Sequence, residues 1–315
     1  MLGRFLTADE HRELLRQGRL RADPWLEFDS GALRDGYNRR PFLLRHRLAE
    51  HPMFGRDALF ALCRRMAPRQ IQFRVGAIPG DADFDTSYAR FRHGLTMADT
   101  LERFEELQAY LCIYNPELDP EMRPVIEHLL GEIAAAIEPY DDRVTWFSTY
   151  VFISTQDSVT PYHMDREMNF LLQVRGRKTA YLWDPADDKV MSAAERDLLL
   201  AHVGTRPPYR DAIEAKAMRF ELEPGLGVHH PFIAPHRVHT LSGLSISLAF
   251  TFRTAGSDRR TDAHCFNAGL RRLGLPPGPV GVHPAVDRSK AAVMRSVRTA
   301  GRLLRRSTPD VAVGT

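Results

Sequence analysis

The sequence has few of the features that mark several common classes of protein. Its three cysteines, Cys63, Cys112 and Cys265, lie far apart and form no CxxC motif, so neither a disulfide framework nor a zinc-thiolate site is indicated. No apolar run reaches the roughly 18 residues of a membrane span. The first residues, MLGRFLTADEHREL, lack the apolar segment of a secretion signal. We therefore expect a cytoplasmic protein without a membrane partner.

Strong charge of one sign is also lacking. The formal net charge is +3 over 315 residues, so no general attraction to nucleic acid is expected. The sequence contains no glycine-rich phosphate loop and no nucleophile elbow. With 43% hydrophobic residues it can bury a large core, and its length fits one catalytic domain with appendages.

The pattern of apolar residues changes near residue 143. Helical spacing predominates before it, as in DALFALCRRM, MADTLERFEELQAYL and PVIEHLLGEIAAAI. After it, β-rich runs such as VTWFSTYVFIST, MNFLLQV and LSISLAFTF alternate with turns, which is typical of an antiparallel barrel or jelly roll. We predict an α+β protein with a helix-rich region over 1–140 that packs on a β-rich core over 141–256. The core has an insertion near 190–217, and a C-terminal helical extension over 257–315 ends in a disordered tail.

A His-x-Asp pair, His163 and Asp165, stands just after a turn and at the head of an alternating apolar run. Two residues that are two apart on one strand point to the same face, so both side chains can reach one metal. Two histidines and one carboxylate occupy one face of an octahedral metal and leave the opposite positions open for further ligands. In a chain with 13 histidines, an isolated pair of this kind is often exposed on the surface and binds no metal. The prediction therefore depends on a third ligand downstream.

Four histidines in the second β-rich stretch are candidates for that ligand. His236 is the best of them, because it follows Pro235 and leads through a short turn into the LSISLAFTF strand. His239 is three residues further on and in an extended strand faces the opposite side. His229 and His230 are weaker alternatives.

Six residues around the pair form the pattern TPxHxDxxxNF: Thr160, Pro161, His163, Asp165, Asn169 and Phe170. This pattern resembles the cupin-fold JmjC-type oxygenases, which depend on Fe(II) and 2-oxoglutarate, and particularly their asparaginyl-hydroxylase-like and bacterial cupin-like members. The later segment APHRVHTLSGLSISLAFTFRT is similar to the bacterial cupin-like version. The likeness spans residues 145–254.

The resemblance implies a double-stranded β-helix core in which His163, Asp165 and His236 bind Fe(II). It also implies that 2-oxoglutarate and O2 are cosubstrates and that a C–H bond of a protein or peptide side chain, or of a small molecule, is hydroxylated. A lysine of the family pairs with a carboxylate of 2-oxoglutarate. The residues placed at the cosubstrate by the resemblance are Thr160, Asn169 and Lys178.

Two features depart from the family pattern. Ala249 stands where asparaginyl-hydroxylase-like members have a second asparagine, and Ala234 and Pro235 replace the tryptophans that often precede the distal histidine. The identity of the substrate is therefore not carried over. Tyr110 is interpreted as a core aromatic residue rather than as a cosubstrate ligand.

One alternative from another class stays open. A non-enzymatic cupin-like sensor or regulator would bind a metal or ligand and use the basic helix predicted over 289–306 to contact a partner or nucleic acid. Nucleic acid is the less favoured partner, because that helix is explained by packing with a solvated arginine face. The oligomeric state is left open, with a homodimer as one option.

Overall fold

The computed structural model describes residues 8–16 and 23–307. The chain divides into two compact units. One contains the described residues up to Val190 together with Pro208–Thr254, and the other contains Met191–Pro207 and the described residues from Ala255 onward. The predicted division into three regions stays a prediction, and the predicted disorder of the last residues lies outside the described part of the chain.

The helices and strands of the described residues have the following bounds. The helices are α1 (Ala8–Arg16), α2 (Ser30–Gly36), α3 (Arg56–Arg65), α4 (Phe84–Arg90), α5 (Met97–Glu102), α6 (Arg123–Ile137), α7 (Ala193–Leu200), α8 (Ala255–Arg272) and α9 (Pro284–Ser307). The strands are β1 (Leu26–Glu27), β2 (Leu43–His46), β3 (Ile71–Arg74), β4 (Tyr110–Tyr114), β5 (Val144–Thr155), β6 (Val159–His163), β7 (Met168–Arg175), β8 (Lys178–Leu182), β9 (Met218–Leu222), β10 (Leu226–His230), β11 (His236–Thr240) and β12 (Leu244–Thr254).

The strands form two antiparallel sheets. The larger sheet has the order β1-β2-β10-β7-β12-β5-β4-β3, and the smaller has the order β6-β11-β8-β9. From β5 to β12 the chain passes back and forth between the two sheets, with only β8 and β9 following each other in the same sheet. This is the connectivity of a double-stranded β-helix, so the predicted α+β fold with a jelly-roll core is confirmed.

The two sheets enclose an apolar core. Alternate residues of each strand point inward because the side chains of a strand alternate between its faces. A valine or leucine side chain among them contributes about 1.5–3 kcal/mol when fully buried. The inward residues that form this core are Leu171, Ala180, Leu182, Leu222, Val228, Val238 and Ala249.

The turn between β7 and β8 requires glycine. Gly176 has φ +71°, in the left-handed region that other residues rarely adopt. A Cβ atom at this position would also clash with Ser242 Oγ and with the carbonyl oxygen of Leu244. The turn fixes where β8 begins, and Lys178 is the first residue of that strand.

The region before residue 140 supplies strands as well as helices. β2 pairs with β10 and β4 pairs with β5, so β1–β4 extend the larger sheet at both of its edges. The segment MADTLERFEELQAYL, expected as one helix, is helical only over α5, and Gln108 has a left-handed φ of 47°. The prediction was wrong there because Tyr110–Tyr114 is rich in aromatic and branched residues and pairs with β5.

The second unit is built from α7, α8 and α9. Asp197 on α7 is buried and accepts hydrogen bonds from His264 Nδ1 at 2.7 Å and from Arg271 Nε at 2.8 Å, both on α8. Asp262 on α8 pairs with Arg298 on α9 at 2.5 Å. The final helix predicted over 289–306 lies within α9. No helix in 8–16 or 23–307 has the length and apolar character needed to span a membrane.

Candidate functional site

The structure brings the three predicted metal ligands together. His163 closes β6 and His236 opens β11, and the two residues are paired across the smaller sheet. The ligand atoms of His163, Asp165 and His236 all lie within 4.8 Å of one another. Asp165 Oδ2 is 4.0 Å from His236 Nε2. Two imidazoles and one carboxylate this close together are the donor set of a divalent metal site that keeps positions open for other ligands.

The position of Asp165 corrects one expectation. His163 and Asp165 were expected to lie on one strand, but β6 ends at His163 and Asp165 belongs to the loop that follows. The reason is topological, because the chain must leave the smaller sheet after β6 to enter β7 in the larger sheet. The loop still brings the carboxylate to the two imidazoles.

Each histidine of the triad is oriented through its second ring nitrogen. His163 Nδ1 lies 2.8 Å from the carbonyl oxygen of Pro161, and His236 Nδ1 lies 3.0 Å from that of Ala234. A carbonyl oxygen can only accept, so each Nδ1 carries the proton and Nε2 keeps its lone pair for a metal. Both residues are buried. The donor set therefore fits Fe(II) in a two-histidine, one-carboxylate site.

Two polar residues beside the triad have atoms without hydrogen-bond partners. The His230 ring centroid is 4.5 Å from that of His236, and His230 is paired with Asn169 across β10 and β7. Both nitrogens of His230 and Oδ1 of Asn169 are buried and have no partner within the described residues. Buried polar atoms are nearly always satisfied, so these atoms fit a polar ligand bound next to the metal.

The N-terminal region covers one side of the site. Phe84, the first residue of α4, stacks on the His163 ring with centroids 3.7 Å apart and an interplanar angle of 3°. An aromatic face at this distance shields the imidazole from water. No sequence pattern had pointed to Phe84.

The remaining histidines of the second β-rich stretch have other environments. His229 lies on the other face of β10, where it stacks on Tyr37 at 5.4 Å and accepts a hydrogen bond from the backbone N–H of Asn38. His239 is partly exposed and lies 3.8 Å from Asp157. Among the described residues, neither of them belongs to the cluster of metal-ligating atoms that the triad forms.

Lys178 is a buried cation without an anionic partner. Its side chain is 2% exposed, and within the described residues its ammonium group makes no ion pair or hydrogen bond. Burial lowers the pKa of Lys178 from 10.5 to about 7, with a smaller effect from Arg74. The Nζ atom lies 6.0 Å from the centre of the Phe152 ring. A carboxylate bound here would restore the stability of the protonated lysine.

Thr160 and Lys178 flank the same strand. Thr160 on β6 is paired with Val238 of β11, and Lys178 on β8 is paired with Thr240 of β11. The Thr160 hydroxyl lies 2.9 Å from the hydroxyl of Tyr110. Tyr110 is buried, as expected of a core aromatic, yet it also contacts a candidate cosubstrate residue.

A family model described as a cupin-like domain matches residues 82–258, which is more than half of the chain and includes every candidate site residue named from the sequence. The chain belongs to this cupin-like domain family, so the family predicted from the TPxHxDxxxNF pattern is confirmed.

Solved structures extend the comparison. The chain is similar to YcfD, a ribosomal oxygenase from Escherichia coli, at 15% identity over 90% of this chain and 68% of that one, with a TM-score of 0.43. A structure of YcfD in complex with cobalt and 2-oxoglutarate is matched at 16% identity over 85% of this chain and 65% of that one, with a TM-score of 0.41. No curated protein matches the sequence.

Proposed function

We propose that the protein is an Fe(II)- and 2-oxoglutarate-dependent dioxygenase that hydroxylates a C–H bond of a protein or peptide side chain or of a small molecule. The observation that carries the proposal is the gathering of His163, Asp165 and His236, whose ligand atoms lie within 4.8 Å of one another. The buried, unpaired Lys178 supports it, since a carboxylate is the natural counter-ion of an unpaired buried lysine.

The cofactor and cosubstrates would supply the chemistry, and the side chains of the site would bind and position them. Iron with 2-oxoglutarate and O2 supplies the oxidation, in which one oxygen atom enters the C–H bond and 2-oxoglutarate becomes succinate and CO2. The imidazoles and the carboxylate of the triad would hold the metal. Lys178 and the Thr160 hydroxyl would hold the distal carboxylate of 2-oxoglutarate by charge-assisted hydrogen bonds. The Asn169 amide would be available to hydrogen-bond a ligand bound beside the metal.

The proposed substrate is still either a protein or peptide side chain or a small molecule. Ala234 and Pro235 next to the distal histidine, and Ala249 on β12, differ from the family pattern at positions that shape the site, so a known substrate is not transferred. A cytoplasmic location is part of the proposal and agrees with three free, buried cysteines.

The test is succinate formation. Protein loaded with Fe(II) and supplied with ascorbate, O2 and 2-oxoglutarate should form succinate, measured by NMR, even without substrate. Asp165→Ala should lose metal binding and succinate formation together, with an unchanged circular dichroism spectrum. Asp23→Ala, which alters an exposed aspartate, is the control and should behave as wild type.

The results of the succinate assay distinguish an enzyme from a sensor or regulator. Turnover retained by Asp165→Ala would contradict the assignment of the metal site. Metal and 2-oxoglutarate binding without any succinate would favour the sensor or regulator instead. The substrate would then be sought by mass spectrometry as a gain of one oxygen atom in peptides or metabolites incubated with the active protein.

A further inference from the structure

A second buried basic residue, Arg74, lies beside Tyr110, which contacts the candidate cosubstrate residue Thr160. Arg74 ends β3 and is 3% exposed. Its guanidinium group lies over the Tyr110 ring at 4.3 Å and over the Tyr88 ring at 5.8 Å. One of its Nη atoms donates a hydrogen bond to the carbonyl oxygen of Val159, and its Nε has no partner within the described residues. Such burial without a carboxylate is uncommon for arginine.

Arg74 faces the same interior as the candidate cosubstrate residues. It is paired with Tyr110 across β3 and β4, and the Tyr110 hydroxyl bonds Thr160 on β6 of the smaller sheet. Val159, whose carbonyl accepts from Arg74, directly precedes Thr160. The positive charge of Arg74 also lowers the pKa of Lys178, although burial is the largest cause.

Within the described residues, the titratable groups that act most strongly on the two basic side chains are Tyr110, Tyr88 and Cys112, and none of them is a carboxylate. Burial raises the pKa of Tyr110 to about 12, and it raises the pKa values of Tyr88 and Cys112 as well, so all three are neutral near pH 7. Within the described part of the chain, neither Arg74 nor Lys178 forms an ion pair with an aspartate or glutamate. An uncompensated buried charge costs several kcal/mol, and two in one interior call for an anion from outside.

We propose that Arg74 is a second cationic determinant of the cosubstrate site, which acts on the distal carboxylate of 2-oxoglutarate by its charge and positions Thr160 through Tyr110 and Val159. This inference rests on the proposed function and deepens it. Arg74 lies before residues 82–258, so the strands of the N-terminal region complete a site whose other residues lie inside the matched family segment.

The charge of Arg74 predicts selectivity as well as affinity. A positive charge near the distal end favours a ligand that carries a carboxylate there. It should matter little for 2-oxopentanoate, which has the same 2-oxo acid head but ends in a methyl group. A purely structural arginine would affect both ligands equally, so the comparison separates the two roles.

The experiment is isothermal titration calorimetry on the full chain loaded with Mn(II), which supports binding without turnover. Wild type should bind 2-oxoglutarate more tightly than 2-oxopentanoate. Arg74→Gln keeps a donor for the Val159 carbonyl but loses the charge, and we expect its affinity for 2-oxoglutarate to fall about tenfold or more. Its affinity for 2-oxopentanoate should change little, and Arg74→Lys should recover much of the preference for 2-oxoglutarate.

Arg92→Gln is the matched control. Arg92 is exposed and stacks on Phe73 of the same strand at 4.4 Å, so its replacement removes an equal charge and a similar contact outside the interior. We expect wild-type affinity for both 2-oxo acids.

The results separate this inference from the function on which it rests. If metal-loaded wild type fails to bind 2-oxoglutarate, the proposed function itself is wrong. If wild type binds and Arg74→Gln binds equally well, only the role of Arg74 is overturned. Equal losses for both 2-oxo acids, or an Arg74→Lys variant with no recovered preference, would likewise reduce Arg74 to a structural residue.

Discussion

Replacement of Lys178 by methionine should stabilise the ligand-free protein while removing its response to 2-oxoglutarate. Burial lowers the pKa of this lysine from 10.5 to about 7. That difference corresponds to about 5 kcal/mol by which the fold disfavours the protonated side chain. Replacing buried charged groups by apolar residues of similar size often gains about 1–4 kcal/mol. We expect the free energy of unfolding of Lys178→Met to be about 2 kcal/mol above that of wild type.

The gain should vary with pH in a defined direction. Between pH 7 and 10.5 the unfolded chain binds the lysine proton and the folded chain does not, so this site makes wild type more stable as the pH rises. Below pH 7 both states are protonated and the full penalty of burial applies. The advantage of Lys178→Met should therefore be largest below about pH 7 and shrink steadily toward about pH 10.

Urea unfolding followed by circular dichroism at several pH values measures this difference. Lys189→Met, at an exposed lysine, is the control and should change the free energy of unfolding by less than about 0.5 kcal/mol. With Mn(II) present, 2-oxoglutarate at a hundred times its dissociation constant should stabilise wild type by about 2.7 kcal/mol, and Lys178→Met should gain far less. A ligand-free variant less stable than wild type near pH 6, or an equal response to 2-oxoglutarate, would refute the reasoning.

Two further predictions concern the fold. Gly176→Ala should lower the free energy of unfolding by about 2 kcal/mol or more, because it combines a left-handed φ with a backbone clash. Gly243→Ala, where an added Cβ meets nothing within 4 Å, is the control, and equal urea midpoints for the two variants would contradict this account. Burial raises the pKa of all three cysteines, that of Cys63 to about 12, so a thiolate-directed reagent should label none in the folded protein and three in urea. Rapid labelling of the native protein would show that the interior opens.

The β-rich half of the molecule could be predicted from the sequence because its longest strands are separated by clear turn sequences. β5 and β12 appear in the sequence as VTWFSTYVFIST and as the alternating LSISLAFTF run, and they pair along their length. The spacing of His163 and Asp165 indicated a shared metal even though Asp165 lies beyond the strand. Asp165 can serve as a metal ligand wherever its carboxylate lies close to the two imidazoles, and the loop places it there as well as a strand would.

The N-terminal contribution could not be predicted in the same way. β3 has only four residues, IQFR, and such a run has no periodicity that distinguishes a strand from a loop. No sequence pattern therefore distinguished Arg74 from the other arginines. Its burial follows from the pairing of β3 with β4 and of β4 with β5, which are contacts between segments far apart in the sequence. Phe84 was missed for the same reason, and His230 was named only as a weaker candidate for the metal ligand, since the place of both residues depends on which elements become neighbours.

The pairing of β11 with both β6 and β8 ties metal binding to the alignment of the smaller sheet. His236 stands opposite His163 on one side and opposite Leu182 on the other. A slip of β11 by one residue would turn His236 to the opposite face and exchange its inward and outward residues. Metal affinity is thus linked to strand alignment, and an ion bound by both histidines favours the native alignment over slipped ones during folding. Refolding with and without Mn(II) would show this linkage as a difference in the yield of correctly paired protein.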